Sequence, residues 1–192
     1  MPQPKHIARI PVPEIDHLDE ETRKYFKICE DKLGMVPNVL RTYTVNMEKF
    51  RLFTAYYNNL MLNDKDCNLT ILEREMIAVV VSSANRCYYC LVAHGQAVRQ
   101  ISGDPQLGEM LVMNYRVAEL SQRTRAMLDF VWKLTKKPFD ISEDDRELLR
   151  EVNFSDKDIF DISDVASFFN YTNRMAHGLD MIPNAEYHKK NR

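Results

Sequence analysis

Only five glycines occur in this chain of 192 residues, and apolar residues recur along it at three- and four-residue spacing. A chain with so few breakers and a 3.6-residue rhythm has little to build hairpins or strands from, so the fold class it dictates is all-α. The length suits one helical domain over 1–192, and a hydrophobic content of 45% is enough to fill its core. Residues 1–18 carry Pro2, Pro4, Pro11 and Pro13 and read as an extended arm. A first helix is expected from about Glu20 to Leu33, stopped by Gly34 as the residue just past its end. Pro37 then starts a short helix to about Tyr43, and Asn46 caps another that carries Phe50, Phe53, Tyr57 and Leu60.

After a polar turn at Asn63-Asp64-Lys65-Asp66, Thr70 and Glu73 form a capping-box signature. It opens an apolar helix from Ile71 to about Ala84, and a second helix follows the turn to about Gln100. Residues 69–100 are thus expected as a helical hairpin. Further helices are expected near 105–116, 121–136, 143–152 and 156–177, with Ser142 and Ser155 as caps and a break at Pro138. The polar tail after Pro183 reads as an arm or a packing segment. The segments starting at Leu69 and Leu120 echo each other in cap and apolar phase. Either a duplicated helical unit or the ordinary likeness of two amphipathic helices accounts for that.

A net charge of −2, with both signs mixed, lacks the basic stripe of a nucleic-acid binder and gives no reason to expect an anionic membrane surface as partner. The most apolar run, Met76 to Val81, is too short to span a bilayer, and the N-terminus lacks the apolar core of a signal peptide. A cytoplasmic location is expected, where the four cysteines stay reduced unless they cycle for a purpose. Cys29 and Cys67 stand alone. Cys87 and Cys90 are spaced as a pair, in Arg86-Cys-Tyr-Tyr-Cys-Leu-Val-Ala-His94.

In a regular helix, residues three apart have Cβ atoms about 5–6 Å apart, whereas a disulfide wants about 3.5–4.5 Å. The pair closes easily where a helix is loose, at its first turn, and Asn85-Arg86 place it there. A helix N-terminus also offers free N–H groups that favour a thiolate. His94, four residues past Cys90, lies on the same face and can move a proton to or from a sulfur. If the two helices fold back around Ala84–Asn85, Glu75 falls opposite His94, and a carboxylate among Leu72, Met76, Val79 and Val80 is costly unless paired.

Other readings of these residues stand beside this one. Cys87, Cys90 and His94 could hold a structural zinc with a fourth ligand, although such sites usually draw on two separate pairs. Glu75 could face solvent as Glu73 does. A thioredoxin-type motif would follow a strand, and this one follows a helix. His6, His17 and His188 lie in the arm and the polar tail, and His177 reads as an exposed residue near the end of the last helix. Tyr43, Tyr56, Tyr57, Phe50, Phe53 and Trp132 read as core or interface. No cofactor and no metal is assigned.

Glu75, Cys87-x-x-Cys90 and His94 at this spacing resemble the alkylhydroperoxidase AhpD-like group of the carboxymuconolactone decarboxylase superfamily, and within it the peroxidase-related branch. Leu33-Gly34-Met35-Val36-Pro37-Asn38 upstream, and Asp161 to Val165, Phe169-Asn170 and Asn173-Arg174 downstream, extend the resemblance over nearly the whole chain. It implies a helical bundle assembled as a homo-oligomer, trimer or hexamer. It also implies hydroperoxide or another small molecule as substrate, and a thiol or dithiol reductant protein as partner. Cys90 would attack and pass through sulfenic acid, Cys87 would resolve it as a disulfide, and Glu75 and His94 would relay protons. This chain departs from the pattern at Tyr89, where members often carry a histidine. A phenol cannot replace imidazole near pH 7, which adds weight to a general disulfide reductase. A non-redox, decarboxylase-like enzyme that uses Glu75 and His94 for acid–base chemistry is the other enzymatic alternative.

Overall fold

In the computed structural model, residues 3–63 and 65–192 are described. Met1 and Pro2 of the expected arm and Asp64 of the expected turn lie outside them. Among the described residues there is no strand. The helices are α1 (Glu20–Leu33), α2 (Asn38–Tyr43), α3 (Met47–Tyr57), α4 (Ile71–Asn85), α5 (Tyr88–Ser102), α6 (Pro105–Asn114), α7 (Gln122–Lys136), α8 (Glu143–Glu151) and α9 (Asp156–Gly178). Their ends sit where side chains can take over orphan backbone groups. Asp19 and Asn46 accept from the N–H groups of Thr22 and Lys49. Thr70 with Glu73, Ser142 with Asp145 and Ser155 with Asp158 close reciprocal capping boxes. Gly34 and Gly103 end α1 and α5 in the left-handed region, at φ 68° and 69°.

α4 is the centre of the molecule. Ile77 through Val81 are fully buried, and the helix packs against α5, α6, α7 and α9. A helix apolar on nearly every side has no solvent face to turn outward, so its neighbours surround it. α5 folds back along α4 and crosses α6 closely: a Cβ at Gly108 would come within 2.5 Å of Arg99 Cγ. α7 also opens on a cap, Ser121, which accepts from the Thr124 N–H, and it lies against α4.

α3 does not stop at Tyr57 but continues as a π-helical turn, Asn58–Leu62. The wider turn is tied down by Arg74, which is fully buried on α4 and donates from Nη1 to the carbonyls of Leu60 (3.2 Å) and Asn63 (3.0 Å). The tail is a packing segment rather than a free arm. Tyr187 is buried in a short 3₁₀ turn, Ala185–His188, and the Asn184 side chain accepts from the Asn38 N–H at 2.7 Å. The N-terminal arm runs beside it, with Arg9 N–H donating to Leu179 O and Ile182 N–H donating to Ile7 O. Among the described residues no helix is long and apolar enough to cross a membrane.

Candidate functional site

Arg86 makes the site possible by turning the chain. It ends α4 in the left-handed region at φ 55°, which lets α5 start at once in the opposite direction. Cys87 is therefore the N-cap of α5, and its own N–H donates back to Ser82 O at 2.9 Å. Cys90 lies one turn further on, and the two Sγ atoms are 2.8 Å apart, sharing one hydrogen bond with no disulfide between them. Both side chains are buried, Cys87 at 1% and Cys90 at 5% exposure.

Such a pair ionises once. The Cys87 thiol is held below its usual range, chiefly by the hydrogen bond with Cys90, with help from the N–H groups of Cys90 and Tyr89 and from His94. Cys90 is pushed far up by the same shared proton and by burial, because a second negative charge beside the first is prohibitive. The Asn173 amide and the Ser82 hydroxyl pull Cys90 the other way. Of the two, Cys87 is therefore the thiol that gives up its proton more readily, and the proton left on the pair has only the short Sγ–Sγ gap to cross.

The fold-back inferred from the sequence brings Glu75 and His94 together. Glu75 Oε2 is 2.7 Å from His94 Nδ1, with Glu75 6% exposed. This leaves Nε2 without a hydrogen-bond partner among the described residues, on a side chain that is 15% exposed. The Phe169 ring meets the imidazole edge-on, at 4.6 Å between centroids, and fixes its plane.

A polar network joins the cysteines to α9. Asn173, fully buried, donates to Ser82 Oγ (3.1 Å) and accepts from Asn85 Nδ2 (3.0 Å), which also donates to Asn170 Oδ1. His177 meets the Asn85 carbonyl from outside at 3.1 Å. Sequence reasoning did not give these groups a role. A buried asparagine eighty-eight residues from its partner leaves no local pattern to read. Tyr89 packs in one buried cluster with the two cysteines, and its hydroxyl accepts from the Val39 N–H at 2.9 Å and so caps α2 from the side. His6 bonds Asp180, and His188 lies against Tyr88. Among the described residues no three His, Cys, Asp or Glu side chains gather closely enough to hold a metal ion.

Residues 48–131, which span α3 to most of α7, match the carboxymuconolactone decarboxylase family model. An uncharacterized peroxidase-related protein from Silicibacter sp. TM1040 is 60% identical over 100% of both chains, with a TM-score of 0.95. Another, from Ralstonia eutropha JMP134 and described as an alkylhydroperoxidase AhpD core, is 42% identical over 98% of both chains, with a TM-score of 0.93. The debrominase Bmp8 has the same fold at 17% identity, with a TM-score of 0.77 over 95% of this chain and 94% of its own. No curated protein matches the chain.

Proposed function

Because the chain belongs to the AhpD-like group of the carboxymuconolactone decarboxylase superfamily, we propose that it is a thiol oxidoreductase that reduces hydroperoxides by cycling Cys87 and Cys90 between dithiol and disulfide. The observation that carries this is the convergence of a hydrogen-bonded cysteine pair, 2.8 Å apart, with a buried Glu75–His94 pair at 2.7 Å. In the first step the shared proton moves to Cys87, and the Cys90 thiolate attacks the terminal peroxide oxygen. The O–O bond breaks, the leaving alkoxide takes a proton from the His94 imidazolium, and Cys90 becomes a sulfenic acid. Cys87 then gives its proton to the Glu75–His94 pair and attacks the Cys90 sulfur. Hydroxide leaves as water after taking that proton, and the disulfide closes. An external dithiol restores both thiols by exchange and leaves as its own disulfide.

Cys90 is the attacking sulfur in this reading even though Cys87 is the more readily ionised of the two. The Asn173 amide, which still has a second N–H beyond the one it gives to Ser82 Oγ, would take up the charge when the proton crosses. Tyr89 is a phenol and supplies no second imidazole; its oxygen accepts from α2. That feature favours a general disulfide reductase, which would use the Cys87 thiolate on a disulfide instead of a peroxide.

The test is a thiol titration of the reduced protein before and after one equivalent of organic hydroperoxide, with mass mapping of the product. Loss of two thiols at Cys87 and Cys90 is expected. If both remain titratable while an added disulfide substrate is reduced, the reductase reading replaces this one. If neither reagent changes the thiols, redox cycling falls altogether.

A further inference from the structure

Cys87 and Cys90 do not belong to the main core. They sit in a small buried cluster of their own with Tyr89, Ala176 and Met181. Helices supply most of the surrounding wall. The rest comes from Leu179, just past α9, and from Ala8 of the N-terminal arm. Both cysteines are buried, so any molecule that reacts with a sulfur must first displace part of this wall.

The parts of the wall are held unequally. Residues 179–182 are pinned to α9, with the Leu179 N–H donating to Met175 O at 3.1 Å and the Met181 N–H donating to Ala176 O at 2.9 Å. The arm has no such anchor beside Ala8. Among the described residues, every hydrogen bond of residues 6–9 ends on residues 179–182. Arg9 N–H donates to Leu179 O at 2.8 Å, and Ile7 O accepts from the Ile182 N–H at 3.1 Å. Outside these two bonds, the Asp180 carboxylate holds His6 Nε2 and Arg9 Nε, each at 3.0 Å. This clasp is open to water, with the Arg9 side chain 70% and the Asp180 side chain 55% exposed. Ion pairs so exposed hold weakly.

We propose that residues 6–9 form a strap over the cysteine cluster, which unclasps from residues 179–182 to admit the molecule that reacts with the sulfurs and closes again after it has left. The thiol-cycling reading above supplies only the purpose of the opening. The strap itself stands on the packing of Ala8 and on the clasp at Asp180. An arm tied to one short segment by a few bonds can leave as a unit while the helices stay folded.

Alkylation by iodoacetamide, followed by mass mapping, measures the opening on the full-length reduced protein. Asp180→Gly removes the clasp and keeps the left-handed backbone that Asp180 adopts at φ 48°. It is expected to speed alkylation of Cys87 by about two- to fivefold, the worth of a surface ion pair. Ala8→Glu brings a carboxylate against the apolar cluster and is expected to speed it by at least about tenfold. Cys29, buried in the main core, is the internal control and should react at the wild-type rate in both. A Cys87 rate that stays unchanged in Asp180→Gly overturns the strap, and so does a rise shared equally by Cys29, which marks general loosening.

Hydrogen exchange of the wild type decides the matter even if Ala8→Glu fails to fold. The Arg9 and Ile182 amides are expected to exchange well before those of Ile77 to Val81 in α4. Equal protection means that the arm opens only when the whole protein unfolds, and the inference falls. Neither measurement consumes hydroperoxide, so a failure of the proposed function leaves the strap standing, and a failure of the strap leaves the proposed function untouched.

Discussion

Arg74 and Glu75 stand next to each other on α4 and leave it on different sides. Both are charged and both are buried. Arg74 donates to backbone carbonyls and holds the π-helical end of α3 against the start of α4. Glu75 meets a titratable side chain, His94, whose second nitrogen is free among the described residues. One side of the helix therefore uses a buried charge to fix the fold, while on the other a buried carboxyl group meets a side chain that can carry a proton. Burial alone does not mark a functional residue; the partner's ability to change protonation state does.

The comparison breaks most visibly at the sulfurs. Cys90→Ser is expected to reduce hydroperoxide turnover to background in a coupled dithiol assay, with a far-ultraviolet spectrum like that of the wild type. Glu75→Gln keeps a hydrogen bond to His94 but removes the charge. It is expected to slow peroxide-driven disulfide formation by about 10²–10⁴-fold while shifting urea stability by less than about 1 kcal/mol. Arg74→Ala should do the reverse. Leaving buried carbonyls unsatisfied is expected to cost about 2–4 kcal/mol in urea unfolding, with turnover per folded molecule retained. If Arg74→Ala abolishes turnover in fully folded protein, the division between the two sides of α4 is wrong.

Two smaller effects sharpen the picture of the site. The Cys87 pKa is lowered, so its alkylation rate should stay high down to a midpoint below the usual value of about 8.5 and then fall as pH drops through that midpoint. Cys90→Ala removes the hydrogen bond that contributes most and should move the midpoint up. Tyr89→Phe loses one hydrogen bond to α2 and is expected to cost about 1 kcal/mol of stability, with the smallest change in rate of the set.

Much of this was legible because it is written locally. Thr70 with Glu73, Asn46 and Gly34 announce helix ends within a residue or two of where they fall, and the positions of Glu75 and His94 about one turn place them face to face. Arg74 was not legible as a latch, since the carbonyls of Leu60 and Asn63 that it holds lie in and just after a π-helical turn that no spacing rule announces. The Ser82–Asn173–Asn85 network depends on how α9 lies across α4, and a polar residue in an amphipathic helix looks the same whether it meets water or another asparagine. Tyr89 could be read as a departure from the family's pattern; its direction could not be read.

The reach of α9 back to the cysteines carries a consequence for the order of events during synthesis. Cys87 and Cys90 leave the ribosome well before Phe169, Asn170 and Asn173 have been made. Until α9 docks, the nascent dithiol has no asparagine beside it. A chain released early would carry the sulfurs without the surroundings that tune them. Completion of α9, rather than folding of the hairpin, is the moment when the two sulfurs acquire the surroundings seen in the folded protein.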